Sequence, residues 1–253
     1  MNKLFPEMYE KPETSVTIAL GAYWIAVFMI FPAILQILLW ALSSRLDPVA
    51  WCTILFYFFC VAGLVPIVWE HLKYSLLRLE MNKKNFFTTV AIAVGLILVY
   101  SFLPMNLGTG YFIFPAAQVL PITFGAVLIS PDALVIHAPL WGTLCMVLLV
   151  PVTTCCLYYP LGFASVCANH PKLAYLTIIL TTAIPQFLGF MFVDNFGSPL
   201  LTVLFTAPIH LFSCWSYQKT DNLLAPIAVH TVVNLVASLF WAVLSMAGLV
   251  YFY

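Results

Sequence analysis

The chain reads as an all-α protein, a polytopic bundle of seven or eight transmembrane helices, and three observations predict the bundle. Hydrophobic residues make up 64% of its 253 residues and Asp, Glu, Lys and Arg only 7%, where a soluble domain carries about 25% charged residues. Mean hydropathy is +1.06. Several uncharged apolar runs reach the ~20 residues that a helix needs to cross the hydrocarbon core. Lipid offers the backbone no hydrogen-bond partners, so such runs fold as helices.

The first run, 15–44, is long and has no small-residue cleavage site after it. It is expected to be a retained anchor rather than a signal peptide. A second follows at 49–69. Next comes "HLKYSLLRLEMNKK", which holds four of the nine basic residues, Lys73, Arg78, Lys83 and Lys84. Its Leu72, Leu76, Leu77 and Met81 recur at helical spacing, which predicts an amphipathic helix over 71–85 on the cytoplasmic membrane surface. Further spans are expected at 86–106, 134–157, 173–193, 198–217 and 223–250, with an eighth at 111–129 if Pro115 and Pro121 permit it.

Nine basic and nine acidic residues leave a net charge of zero, so neither nucleic acid nor a highly charged partner is implied. The seven cysteines, at 52, 60, 145, 155, 156, 167 and 214, lie in or beside apolar runs without C-x-x-C spacing, and read as small core residues rather than a zinc signature or a disulfide framework. No linker divides the chain. The expected partner is the lipid bilayer, and the expected location a membrane, in a multi-pass arrangement that suits the cell membrane.

Near the C-terminus, "KTDNLLAPIAVHTVVN" sets two polar groups inside an apolar helix. Asn222 can cap that helix, and Pro226 falls in its first turn, where a missing N–H costs little. His230 and Asn234 are about 40° apart around the axis and share one face. In lipid such groups turn toward the bundle and must find partners. The simplest role is an interhelical clamp.

The same stretch resembles the last motif of the CPBP family of intramembrane proteases, which includes the type II CAAX prenyl endopeptidases and the abortive-infection-like proteins. The resemblance extends as a layout over roughly 148–236. It implies a CPBP-like core in 131–253, preceded by N-terminal spans in 1–130. In the family a proline precedes a Glu-Glu-x-x-x-Arg helix, a second helix carries Phe-x-x-x-His, and the His-x-x-x-Asn helix closes the site. Here the helix beginning at Pro151 sets Thr154 and Cys155 at the glutamate positions and Tyr159 at the arginine. The second motif falls on Pro185 and Gly189, and only His230 and Asn234 match.

A hydrolase of this kind needs a carboxylate to activate water, and the acidic residues, Glu7, Glu10, Glu13, Asp47, Glu70, Glu80, Asp132, Asp194 and Asp221, all lie at span ends or in loops. The resemblance therefore implies a degenerate, non-catalytic or strongly impaired homologue. It would bind a membrane protein or peptide, with His230 and Asn234 as the family-like pair and His210, Gln186, Tyr159 and Cys155 lining the cavity. No metal or other cofactor is expected. The alternative is an active divergent metallo or glutamic protease, for which zinc would be the cofactor. A small-solute transporter, drawing on Pro115, Pro121, Pro185 and Pro208 with Gln118, Gln186, His210 and His230, is a further alternative. His137 is one more polar group that can line the same cavity.

Overall fold

The computed structural model describes residues 14–26, 30, 31, 34, 37, 41, 48–106, 139–167, 170–190 and 197–246. Every described element is a helix: α1 (Thr14–Ile25), α2 (Pro48–Ile67), α3 (Trp69–Met81), α4 (Lys83–Asn106), α5 (139–167), α6 (Pro171–Phe190), α7 (Gly197–Thr220) and α8 (Leu224–Met246). Among the described residues, two stretches are long and apolar enough to cross a membrane, Lys83–Tyr100 and Leu140–Cys167. A third joins them if the bent pair Thr53–Ile67 and Trp69–Met81 is taken as one span. The expected span at 111–129 lies outside the described residues, as do Gln118 within it and His137 at the start of the next.

Two local sequence features shape the bundle. Pro66 sits in the last turn of α2, where its ring crowds the carbonyl four residues earlier. The chain turns by 79° into α3, while Val68 N–H still donates to the Leu64 carbonyl at 3.1 Å and the Val68 carbonyl accepts Leu72 N–H at 3.0 Å. The expected amphipathic helix 71–85 is shorter than its pattern. It stops at Met81, because Asn82 leaves helical geometry at φ −139°, ψ 47°, and Lys83 already begins α4. The leucine stripe also divides. Leu72 packs against the core, while Leu76, Leu77 and Met81 stay exposed.

Helix α5 changes pitch twice, with π-helical stretches at Cys145–Leu149 and Tyr159–Ala164. In the first, Val150 N–H donates five residues back to the Cys145 carbonyl. In that register the Met146 carbonyl would take its donor from position 151, and Pro151 has no N–H. That carbonyl must be satisfied from another helix.

Helix α4 packs on α7 and α8, α6 packs on α7, and α5 contacts α2, α6 and α8. One apolar core joins α2, α5 and α7 around Tyr57, Leu64, Tyr158, Tyr159, Phe163 and Cys214. A second joins α4, α7 and α8 around Val94, Ile97, Ile209, Val229 and Val233. Helix α1 is tied in by Trp24 Nε1, which donates to Tyr158 Oη at 3.1 Å, and by Tyr23 Oη, which donates to the Cys60 carbonyl at 2.9 Å. A Cβ at Gly63 would come within 2.6 Å of the Tyr23 ring, so glycine permits that approach.

Candidate functional site in the bundle core

The start of α8 is fixed by its own cap. Asn222 Oδ1 accepts Leu224 N–H at 2.8 Å, and Asn222 Nδ2 donates to the Ser75 carbonyl of α3 at 2.7 Å. Ser75 Oγ in turn accepts Leu223 N–H at 2.9 Å. The cap that the sequence suggests therefore also joins α8 to α3. The preceding residue, Asp221, has φ 48°, a left-handed conformation in which Asp and Asn are the commonest non-glycine residues.

Beyond the cap, α8 carries a line of buried polar groups at every fourth residue: His230, Asn234 and Ser238. Asn234 Nδ2 donates to the Met146 carbonyl at 2.8 Å, supplying the donor that Pro151 cannot. Ser238 Oγ donates to the Asn234 carbonyl at 2.8 Å and lies 3.4 Å from Met146 Sδ. The pairing is specific to the π-helical register, since in a regular helix Pro151 would leave the Val147 carbonyl without a donor instead of that of Met146.

His230 and His210 are fully buried. His230 Nε2 lies 3.3 Å from Tyr159 Oη, and the same hydroxyl reaches the His210 carbonyl at 3.5 Å. The imidazoles of His210 and His230 face each other with ring centres 5.6 Å apart, and the Tyr159 ring meets His230 edge-on at 6.1 Å. Among the described residues, both ring nitrogens of His210 and Nδ1 of His230 have no hydrogen-bond partner. Two imidazoles with spare hydrogen-bonding capacity thus meet one phenol in an apolar surround. Pro208, two residues before His210 inside α7, removes one helical donor from that part of the bundle.

Of the expected lining residues, Tyr159 and His210 meet His230 directly. Cys155 and Thr154 are buried on α5, one turn before Tyr159. Gln186 lies on α6, with its side chain outside the described residues. Sequence reasoning did not single out Met146 or Ser238 as partners of the pair. The four-residue spacing from His230 through Asn234 to Ser238 was the available signal for Ser238.

The described donors around His230 are two imidazoles and one carboxamide. A zinc site takes at least three strong protein ligands, Asn234 is engaged with a carbonyl, and no group of three His, Cys, Asp or Glu suited to a metal occurs among the described residues. The described carboxylates sit elsewhere, at the end where α3 meets the α7–α8 turn. There Asp221 Oδ2 lies 3.3 Å from Arg78 Nη2 and accepts a hydrogen bond from Tyr74 Oη at 3.3 Å. Burial pushes the Asp221 carboxyl above its ordinary range, against the smaller opposing pull of Arg78 and Tyr74. No family model, curated protein or solved structure matches the chain.

Proposed function

We propose that this is a multi-pass protein of the cell membrane, with seven or eight spans and a CPBP-like core, that holds a membrane protein or peptide without cleaving it. The observation that carries this reading is the surround of His230. Its partner is Tyr159, the residue that falls at the arginine of the family motif, and the two glutamate positions hold Thr154 and Cys155. A hydroxyl and a thiol packed in an apolar core do not take a proton from water as a carboxylate does. Two imidazoles with unused hydrogen-bonding capacity remain, suited to the carbonyls and N–H groups of an extended peptide. Entry of such a ligand requires the helices around the site to part, because both histidines are closed off from the surface.

The test uses purified full-length protein and a fluorescent prenylated peptide. Binding read by anisotropy, with no product by mass spectrometry, is the expected result. Product formation that His230→Ala abolishes would overturn it. A second reading, an active divergent protease, draws on the arrival of His210 beside His230. Stoichiometric zinc retained by the purified protein after mild chelation would favour that reading.

A further inference from the structure

All nine charged side chains among the described residues gather at one end of the bundle, although they come from four helices and the turn between α7 and α8. Glu70, Lys73, Arg78 and Glu80 lie on α3, and Lys83 and Lys84 begin α4. Lys172 begins α6, and Lys219 closes α7 just before Asp221. Contacts bring these ends together. Arg78 meets Asp221, Asn222 Nδ2 donates to the Ser75 carbonyl, Asn85 Nδ2 donates to the Lys219 carbonyl at 3.3 Å, and Tyr175 Oη donates to Gln218 Oε1. Six cations against three carboxylates leave this end with a net charge of +3.

The pairing within that group is uneven. Lys73 Nζ is 2.9 Å from Glu70 Oε1, and Arg78 pairs with Asp221. Lys83, Lys84, Lys172 and Lys219 are exposed, with no ion pair among the described residues. Exposed apolar side chains stand beside them: Phe87 next to Lys83 and Lys84, Leu173 and Leu176 next to Lys172. The candidate span Lys83–Tyr100 has 18 residues, about 27 Å of helix, close to the thickness of the hydrocarbon core. Its first residues therefore stand at the level of the lipid phosphates.

We propose that this end is a docking surface for the headgroups of anionic phospholipids. The lysines meet the phosphodiester charge, and the apolar neighbours lie along the upper acyl chains. Free phosphate has the same charge chemistry but no use for Phe87, Leu173 or Leu176, and a zwitterionic lipid brings its own cation against the lysines. A basic surface at this end also makes it the cytoplasmic one. The inference is independent of the His230 site.

Native mass spectrometry of the full-length protein in detergent, with equal phosphatidylglycerol and phosphatidylcholine of identical chains, tests it. Each lysine near a headgroup is worth about a fivefold preference, so bound lipid should be enriched in phosphatidylglycerol by that factor or more. In the K83Q/K84Q/K172Q/K219Q protein the ratio should fall to about one, whereas Lys73→Gln should keep it. If the quadruple variant does not fold, the K83Q/K84Q and K172Q/K219Q proteins should each show an intermediate ratio. An unchanged ratio in these variants, or no preference in the wild type, would refute the proposal. Displacement of phosphatidylglycerol by an equal concentration of inorganic phosphate would refute it too, showing a site for the free anion.

Discussion

Removing the Asn234 carboxamide should expose a debt that α5 cannot meet by itself. The Met146 carbonyl is buried, its acceptor role is filled by Asn234 Nδ2 at 2.8 Å, and the in-register backbone donor is missing because position 151 is proline. An unsatisfied buried carbonyl costs about 1–3 kcal/mol, while polar contacts between membrane helices average about 0.6 and reach about 1.7 kcal/mol. Asn234→Ala should therefore lower unfolding free energy by about 1.5 kcal/mol. Pro151→Ala restores an N–H where the π-helical register needs one. In that background the same change should cost under about 0.5 kcal/mol, a coupling of roughly 1 kcal/mol. Reversible unfolding in mixed micelles, read by far-UV circular dichroism for the four proteins of the cycle, measures this. Equal losses in both backgrounds, or a loss under about 0.3 kcal/mol in the first, would refute the assignment of Asn234 as the surrogate donor.

His230→Ala and Tyr159→Phe should each lower thermal stability, and together by less than the sum, since they break one shared contact; strict additivity would deny that contact. No precursor should accumulate in cells expressing His230→Ala, and a precursor that only the wild type removes would show the site to be catalytic. Because burial raises the Asp221 carboxyl, its protonated form is the one folding favours. Its contribution to stability is complete at pH values below the unfolded carboxylate value of about 4 and is lost as pH rises through the folded value. Asp221→Asn, which tolerates the same positive φ, should flatten that decline in a pH series of melting temperatures. A steeper slope in the variant would reverse the sign of the effect. Single cysteines placed at Lys73, Lys83 or Lys84 should resist an impermeant thiol reagent on intact cells, and ready labelling would place the basic end outside.

The helical character and the polar face of α8 were legible in the sequence because both are local. Hydrophobicity without charge identifies a helix in lipid, a spacing of four residues puts His230 and Asn234 on one side, and the Asn222 cap acts within two residues of itself. What the pair touches was not legible. Tyr159 is 71 residues from His230 along the chain, and Met146 is 88 from Asn234. The three-residue turn at 221–223 and the pitch change in α5 decide which groups arrive, and neither leaves a periodic trace. The amphipathic stretch 71–85 shows the converse. Its leucine spacing suggested one apolar face, but Ser75 is the position held against the α7–α8 turn. That contact rotates Leu72 inward and leaves Leu76, Leu77 and Met81 outside. A small polar residue with a specific partner outweighed the hydrophobic stripe in setting the helix's rotation.

Helix α8 is thus fixed at two points by side-chain amides that act on the backbone of other helices. Asn222 holds the Ser75 carbonyl, and twelve residues later, about 18 Å along a helix axis, Asn234 holds the Met146 carbonyl. A slip of one residue would break both bonds and turn the buried polar line by about 100° into apolar surroundings, so the two amides fix register as well as adding stability. His230 lies between the two fixed points, and its position relative to Tyr159 on α5 is set by them rather than by its own long contact of 3.3 Å. The His210 ring, 5.6 Å away, has no hydrogen bond of its own among the described residues to hold it. Any ligand that draws the two imidazoles together would therefore act mainly on α7, at the segment weakened by Pro208, while α8 keeps its register.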